Sequence, residues 1–251
     1  MLARFSAFVP LAFAAGLASG AGAAEVRILA NQGAVSAVRD LVPAFEQKSG
    51  HKVVIDFRQG AAMNQAIEQN APADLVSALL ESFEDMLKRG KVAQGAWAEW
   101  SRAGNGVAIK AGAPKIDIST PEKFRQAMLD ARSIGHSSNG TGPFNTRLFQ
   151  KLGIYEQIKG KIKIIEGKPV AVAGAEGEVE LGIQQTNVIQ PVAGTQYMGP
   201  LPEGLIEYGR FGVGLLAVAK QPEAARALLA FMISPEAAPL IRKSAMEVPA
   251  K

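Results

Sequence analysis

The first third of the chain alternates short apolar runs with apolar residues at helical spacing. Residues 26–30 predict a buried strand, and the helix-spaced apolar residues after it end before Gly50. Residues 53–57 and 74–77 predict two more strands, each followed by an amphipathic helix, and Gly90 is placed to end the last of these helices. Three consecutive strand–helix units predict an α/β fold with a mostly parallel sheet.

The same pattern starts again after a stretch rich in Gly and Ala at residues 103–114. Ser119-Thr120-Pro121-Glu122 predicts a helix start, because it combines a hydroxyl cap, a proline in the first turn and an acid near the positive end of the helix. The remaining predicted strands are 133–136, 162–165, 181–183 and 211–218, and the remaining predicted helices are 144–152, 170–176, 222–233 and a last one from Ser234.

Two such units in one chain leave two arrangements open, tandem domains or one domain inserted into the other. Residues 104–109 and 195–200 are extended segments at the two ends of the middle unit, and paired crossings there would form a hinge. We predict a discontinuous lobe made of residues 24–102 and 201–251, with residues 103–200 inserted as a second lobe. A cleft between two hinged lobes is a common small-molecule site.

The N-terminus has the features of a cleaved export signal. Arg4 precedes a short apolar segment that ends at Ala21-Gly22-Ala23, which fits an A-x-A cleavage site. The apolar segment is shorter than the roughly 20 residues of a spanning helix, and a retained membrane anchor is the alternative. We predict a signal peptide over residues 1–23 and a periplasmic location.

Composition excludes several classes of function. The 251 residues include 48% hydrophobic and 20% charged residues, which is typical of a globular protein. The net charge of +4 is small and scattered, so nucleic acid is not an expected partner. The absence of cysteine excludes thiol chemistry and cysteine-bound metals, and the only histidines, His51 and His136, are too few for a histidine-based metal cluster. We therefore expect neither a metal nor a cofactor.

Four loops of small and polar residues follow predicted strands and precede predicted helices. They are Asn31-Gln32-Gly33-Ala34, Arg58-Gln59-Gly60-Ala61-Ala62, Ser137-Ser138-Asn139-Gly140-Thr141-Gly142 and Gln184-Gln185-Thr186. Each places unpaired backbone N–H groups and the positive end of a helix dipole at the carboxyl edge of a sheet. Ordinary strand–helix turns are the alternative. Together the loops predict a site for a small anion.

Several segments in order along the chain resemble the molybdate-binding family of type II periplasmic solute-binding proteins. They are Val26 to Asp40 with the following Pro43-x-Phe45-Glu46, Ile67 to Leu75, Gly153-Ile154, Leu181-Gly182-Ile183 and Ser234 to Ala238. The resemblance implies two α/β lobes with two mixed, mostly parallel sheets joined by two hinge strands. It also implies delivery of an oxyanion to the permease of an ABC transporter, and we expect a monomer.

The sequence departs from that family at the ligand positions. Molybdate binders of this family offer serine hydroxyls from the first two loops and a tyrosine from the late one, whereas this chain has Gln32-Gly33-Ala34, Gly60-Ala61 and Gln184-Gln185 there. A compact dianion in a buried site needs a full set of short hydrogen bonds. Arg58 and Arg102 instead favour a carboxylate, which an arginine binds with two parallel bonds, although plain surface arginines are the alternative.

The same resemblance extends to aconitate isomerase, an exported enzyme that acts on a tricarboxylate. Its allylic proton shift needs a base near the α-carbon and cationic groups to stabilise the intermediate. His136 is the candidate base in this sequence, and Glu176 and Glu178 are weaker candidates. The sequence therefore leaves two functions, a receptor for a small anion and an isomerase.

Overall fold

The structure is a computed structural model that describes residues 22–58, 61–138 and 140–249. The predicted signal peptide lies outside these ranges except for Gly22 and Ala23. An apolar helix of membrane-spanning length is absent from the three described ranges.

The chain begins with the three predicted strand–helix units. They are β1 (Glu25–Ala30), α1 (Gln32–Ser49), β2 (Lys52–Phe57), α2 (Ala61–Glu68), β3 (Leu75–Leu79) and α3 (Glu81–Lys88). α1 begins after Asn31, whose side chain caps it, and ends at Gly50, which takes the left-handed φ of 74° that glycine adopts without strain. Local sequence therefore sets both ends of this helix.

The long strand β4 (Val92–Lys110) leads into the middle of the chain. The elements that follow are α4 (Pro121–Asp130), β5 (Ile134–Ser137), α5 (Thr141–Lys151), α6 (Tyr155–Ile158), β6 (Ile162–Ile165), α7 (Val170–Glu176), β7 (Leu181–Gln185), α8 (Thr186–Ile189), β8 (Thr195–Pro200), β9 (Tyr208–Leu216), α9 (Pro222–Met232) and α10 (Ala238–Lys243). α4 begins as predicted, with Thr120 accepting a hydrogen bond from the Lys123 amide and Pro121 in the first turn. The last helix, expected from Ser234, begins at Ala238 because turns occupy the residues between them.

Within the described residues, the sheet has nine strands, eight of them in the order β2-β1-β3-β9-β4-β7-β5-β6, while β8 lies off this path and pairs with β4. β1 is parallel to β2 and β3, and β5 is parallel to β6 and β7, whereas β4, β8 and β9 pair in antiparallel fashion. We call the part built on β1, β2, β3 and β9 the first lobe, and the part built on β5, β6, β7 and β8 the second lobe. This is a mixed α/β sheet with helices, and the predicted fold class is confirmed.

β4 joins the two lobes by changing its partners within one continuous strand. It pairs with β9 as far as Gly104, opposite Tyr208, and with β7 from Asn105, opposite Gln185. Residues 103–110 of the Gly- and Ala-rich stretch are therefore part of a continuous strand, and only residues 111–114 lie beyond it. Residues 195–200 form β8 and pair with β4 in the second lobe, so the return to the first lobe is made by the residues after β8. The predicted lobe boundaries stay predictions.

Each lobe has its own hydrophobic core. The first-lobe core includes Trp100, whose indole N–H donates to the Ser77 hydroxyl at 3.0 Å, and the second-lobe core includes Phe124 and Phe149. Burying large apolar side chains on both sides of the crossing stabilises each lobe separately.

Candidate functional site

A cleft of about 470 Å³ opens where strands end and helices begin in both lobes. First-lobe residues in its lining include Asn31, Gln32, Gly33, Met63, Asn64, Ala78, Leu79, Glu81, Ser82 and Phe211. Second-lobe residues in its lining include Ser137, Gly140, Thr141, Phe144, Arg147, Gln184, Gln185 and Val188. The lining is completed by residues from the two segments that connect the lobes, Asn105 on β4 and Glu207, Tyr208 and Gly209 around the start of β9. The volume falls in the range of about 300 to 1,000 Å³ that is usual for small-molecule sites.

The first turn of α1 forms the first-lobe side of the cleft. The Asn31 side chain accepts from the Ala34 amide at 3.1 Å, and the Asn31 amide donates to the Ser77 carbonyl at 3.1 Å. A Cβ on Gly33 would lie 2.5 Å from the Phe211 ring and 2.7 Å from Gln185 Oε1. Glycine is therefore required at residue 33 to let the second-lobe glutamine approach the helix start.

The β5–α5 turn forms the facing side. The Ser137 and Thr141 hydroxyls are 3.4 Å apart, and α5 begins without a side-chain cap. A Cβ on Gly142 would overlap the Ser137 carbonyl oxygen, so only glycine allows the chain to turn this tightly into α5. The turn places the first amides of an 11-residue helix at the cleft, with the positive end of its dipole.

Neutral carboxamides form much of the wall at the crossing. Asn105 and Gln184 are 3% and 8% exposed, and Gln185 is half-buried. Gln184 Oε1 accepts from the Ala171 amide at 3.4 Å, which leaves its NH₂ group as the end available to a ligand.

The two lobes also touch directly beside the cleft. The Asn187 NH₂ group on α8 donates to the Gly33 carbonyl at 2.8 Å and to the Ser36 hydroxyl at 3.2 Å. Asn187 is 2% exposed, so this contact is shielded from water. It holds the start of α1 against the second lobe.

One arginine and two acids set the charge of the cleft. Among the described lining residues, Arg147 is the only one with a positive charge, and its guanidinium lies 3.7 Å from the Glu207 carboxylate. Both side chains are more than half exposed, so water screens this pair and it constrains Arg147 weakly. Glu81 lies in the first turn of α3, where the helix dipole favours a negative charge.

The structure brings most of the predicted loop residues together. Asn31, Gln32, Gly33, Ser137, Thr141, Gln184 and Gln185 all line the cleft. Ser138 is exposed and is not among the lining residues. Gly60 and Asn139 lie outside the described residues. Ala61 is the first residue of α2, whose first turn reaches the cleft through Met63 and Asn64.

The two arginines that the sequence analysis favoured lie elsewhere. Arg58 donates to both carboxylate oxygens of Asp56, at 2.7 and 3.1 Å, and is not among the lining residues. Arg102 donates to Glu247 at 2.7 Å and stacks over the Tyr208 ring at 4.3 Å. Each of these two arginines is hydrogen-bonded to a carboxylate of the chain, and Arg147 is the arginine found in the described lining of the cleft.

Tyr208 connects the cleft wall to the C-terminal segment. Its hydroxyl donates to Glu247 at 3.2 Å. Burial and the neighbouring Glu247 carboxylate raise the pKa of Tyr208 above its ordinary value, so the phenol stays protonated at neutral pH.

The candidate bases of the sequence analysis are also outside the lining. His136 is 4% exposed, its Nδ1 lies 3.0 Å from the Ser137 carbonyl, and its Nε2 has no partner. Burial lowers the pKa of His136 below its ordinary value, so the ring is neutral at neutral pH. Glu176 and Glu178 both pair with Lys168. None of the three is among the described residues that line the cleft.

Sequence analysis missed Arg147, Asn105 and Glu207. Arg147 lies six residues after Thr141 on α5. The only feature of the sequence that pointed to it was that this helix begins at a predicted ligand loop. Asn105 lies in the predicted extended segment 104–109, but no feature of the sequence marked its side chain as part of a ligand site. Within the described ranges, no group of three or more acidic or histidine side chains could hold a metal ion.

The chain is similar in sequence to proteins of known function over most of its length. Aconitate isomerase from a Pseudomonas species is 29% identical over 231 residues, which cover 89% of this chain and 88% of that protein. The molybdate-binding protein ModA of Rhodobacter capsulatus is 26% identical over 241 residues, which cover 93% and 92%.

Solved structures show the same fold at low identity. The periplasmic molybdate-binding protein of Azotobacter vinelandii superimposes with a TM-score of 0.73 at 17% identity, over 90% of this chain and all of that chain. The substrate-binding domain of a molybdenum ABC transporter protein from Clostridium difficile gives 0.74 at 13% identity, over 91% of this chain and all of that chain. The predicted resemblance to molybdate-binding proteins is thus confirmed. The family model described as bacterial extracellular solute-binding protein matches residues 26–247, and the chain belongs to that family.

Proposed function

We propose that this protein is a periplasmic receptor that holds a small organic anion between its lobes and delivers it to an ABC transporter permease. One observation carries the proposal. The starts of α1 and α5, which belong to opposite lobes, reach one cleft together with Arg147. Backbone amides at helix starts bind anions, and an arginine binds a carboxylate with two parallel bonds. We expect the receptor to act as a monomer.

The acids in the cleft are compatible with an anionic ligand. Glu207 and Glu81 are both exposed to water, which screens their repulsion of an anion, and the weak pair with Glu207 leaves Arg147 able to turn to a ligand. Inorganic molybdate is disfavoured because the first-turn positions of α1 carry Gln32, Gly33 and Ala34 instead of hydroxyls. A carboxylate uses the planar guanidinium of Arg147 better than a tetrahedral ion does.

A thermal-shift screen tests the proposal. Inorganic oxyanions, di- and tricarboxylates, neutral sugars and polyamines would be compared at equal ionic strength. A ligand at 100 times its Kd stabilises the folded state by about 2.7 kcal/mol, which raises the melting temperature by roughly 5 to 10 °C in a protein of this size. We expect one or more carboxylates to do so. A rise with a sugar or a polyamine, but with no anion, would overturn the proposal.

Replacing Arg147 with glutamine should weaken binding of the carboxylate found in that screen by about tenfold or more, because the charge-assisted bond is lost. Arg226→Gln is the matched control, since Arg226 is exposed on α9 and is not among the lining residues. Titration calorimetry on both variants and the original protein measures the difference. Equal affinity in all three would remove Arg147 from the site.

Similarity to aconitate isomerase over most of the chain supports a second candidate function, an allylic proton shift on a tricarboxylate. Glu207 and Glu81 are the carboxylates in the described cleft lining that could act as the base. Incubation with trans-aconitate followed by chromatography separates the two functions. A receptor returns the ligand unchanged, whereas conversion to the cis isomer that Glu207→Gln or Glu81→Gln abolishes would favour the enzyme.

A further inference from the structure

The side chain of Asn105 is an unpaired amide in the wall of the cleft. Asn105 is 3% exposed and lies on β4 at the point where the strand exchanges β9 for β7. Its side chain makes no hydrogen bond with the part of the chain that the structure describes. The fully enclosed polar atoms without a partner belong to other residues, so both ends of the Asn105 amide reach the cleft.

Two of the other carboxamides around the cleft have one end already used. Asn31 Oδ1 accepts from the Ala34 amide, and Gln184 Oε1 accepts from the Ala171 amide. Both therefore present their NH₂ groups. Together with the helix starts and Arg147, they place donors around the cleft, whose acceptors include the Glu81 and Glu207 carboxylates. The Asn105 amide is uncharged and offers a donor and an acceptor side by side.

A ligand must match both ends of this amide, because a buried carboxamide left unpaired costs the free energy of its lost hydration. An ion that has only acceptor oxygens can pair with the NH₂ group but would place a negative oxygen against Oδ1. A ligand with a hydroxyl next to its carboxylate can pair with both ends of the amide. Its O–H donates to Oδ1, while one of its oxygens accepts from Nδ2.

We propose that Asn105 selects a small carboxylate that also bears a hydroxyl group, in preference to an anion with acceptor oxygens alone. This inference rests on the proposed function and narrows its ligand to hydroxycarboxylates. The cleft of about 470 Å³ supports it, because a single tetrahedral oxyanion would leave most of that space to water.

Matched pairs of acids that differ by one hydroxyl test the inference. Malate would be compared with succinate, and citrate with tricarballylate, by titration calorimetry. Molybdate and trans-aconitate serve as anions without a hydroxyl. In the original protein, the hydroxylated member of at least one pair should bind about tenfold or more tightly than its partner, since a site built around a hydroxyl rejects the analogue that lacks it.

Variants assign that preference to Asn105. In Asn105→Ala, affinity for the hydroxylated acid should fall until the two members of the pair differ by less than about threefold, while the partner acid binds nearly as before. Gln190→Ala is the matched control, because it removes an exposed carboxamide that is not among the lining residues. Circular dichroism checks that both variants fold. If Asn105→Ala does not fold, the comparison within each pair in the original protein still decides the hydroxyl preference.

The outcomes separate this inference from the proposed function. A hydroxyl preference that disappears in Asn105→Ala supports the inference. Acids that bind with no hydroxyl preference, a preference that survives in Asn105→Ala, or molybdate that binds more tightly than any hydroxy acid would each overturn it and leave an anion receptor in place. If no anion binds at all, the proposed function itself is wrong.

Discussion

Replacing Asp74 with alanine is expected to destabilise the protein by about 3 to 5 kcal/mol, because three backbone N–H groups lose their acceptor together. Asp74 is 4% exposed and lies just before β3. Its carboxylate accepts from the amides of Arg27, Lys220 and Gln221, each at 2.8 Å. One side chain thus ties β1 to the turn that precedes α9.

Urea unfolding measures this change. Asp130→Ala is the control, since it removes an exposed acid at the end of α4, and its free energy of unfolding should stay within about 0.5 kcal/mol of the original value. Asp74→Asn retains one acceptor oxygen, so its free energy of unfolding should lie between those of Asp74→Ala and Asp130→Ala. A loss below about 1 kcal/mol in Asp74→Ala would mean that water replaces the carboxylate at all three amides.

Replacing Gly142 with alanine is expected to remove ligand binding and to lower stability by about 3 kcal/mol, because the added methyl group overlaps a backbone atom. The obstacle is the Ser137 carbonyl oxygen, and His136 Nδ1 lies 2.8 Å from the same position. Neither group is the end of a flexible side chain. The turn must open, which withdraws the first amides of α5 from the cleft.

Gly174→Ala is the matched control for this prediction. It makes the same change inside helix α7 at a position with open space for a methyl group. Alanine there should keep or raise stability, because it has the higher helix propensity. Thermal unfolding and calorimetry on both variants provide the comparison. If Gly142→Ala binds the ligand and unfolds as the original protein does, the tight turn has no role in the site.

Sequence predicted the elements whose ends are set by nearby residues. α1 was predictable because Asn31 caps its start and Gly50 ends it, and α7 was predicted at the bounds observed, residues 170–176. β4 was recognised only over residues 104–109, which were predicted as an extended segment, and its first part, residues 92–103, was not predicted. Gly104 and Gly106 interrupt the hydrophobic alternation of this strand, because other segments of the chain pack closely against them. The Ile206 and Tyr197 side chains fill the space over these two glycines.

The loops that line the cleft were predicted from the sequence, whereas its charged side chains were not. Strand–helix loops reach the edge of the sheet whatever their side chains, so Gln32 and Thr141 could be placed from the sequence alone. An arginine's position depends on which acid it meets. Arg58 forms a salt bridge with Asp56, two residues away, and Arg102 forms one with Glu247, far along the chain. Arg147 faces the cleft only because the lobes pack as they do.

Hydrogen exchange with and without the best ligand of the thermal-shift screen tests the central claim most directly. That claim is that one anion contacts helix starts from both lobes. The amides of residues 32–35 on α1 and of Thr141, Gly142 and Phe144 on α5 should gain protection together, at the same ligand concentration and in proportion to occupancy. Pro143 has no N–H and does not report. Protection confined to one of these segments, or found in both only with an uncharged solute, would contradict the account.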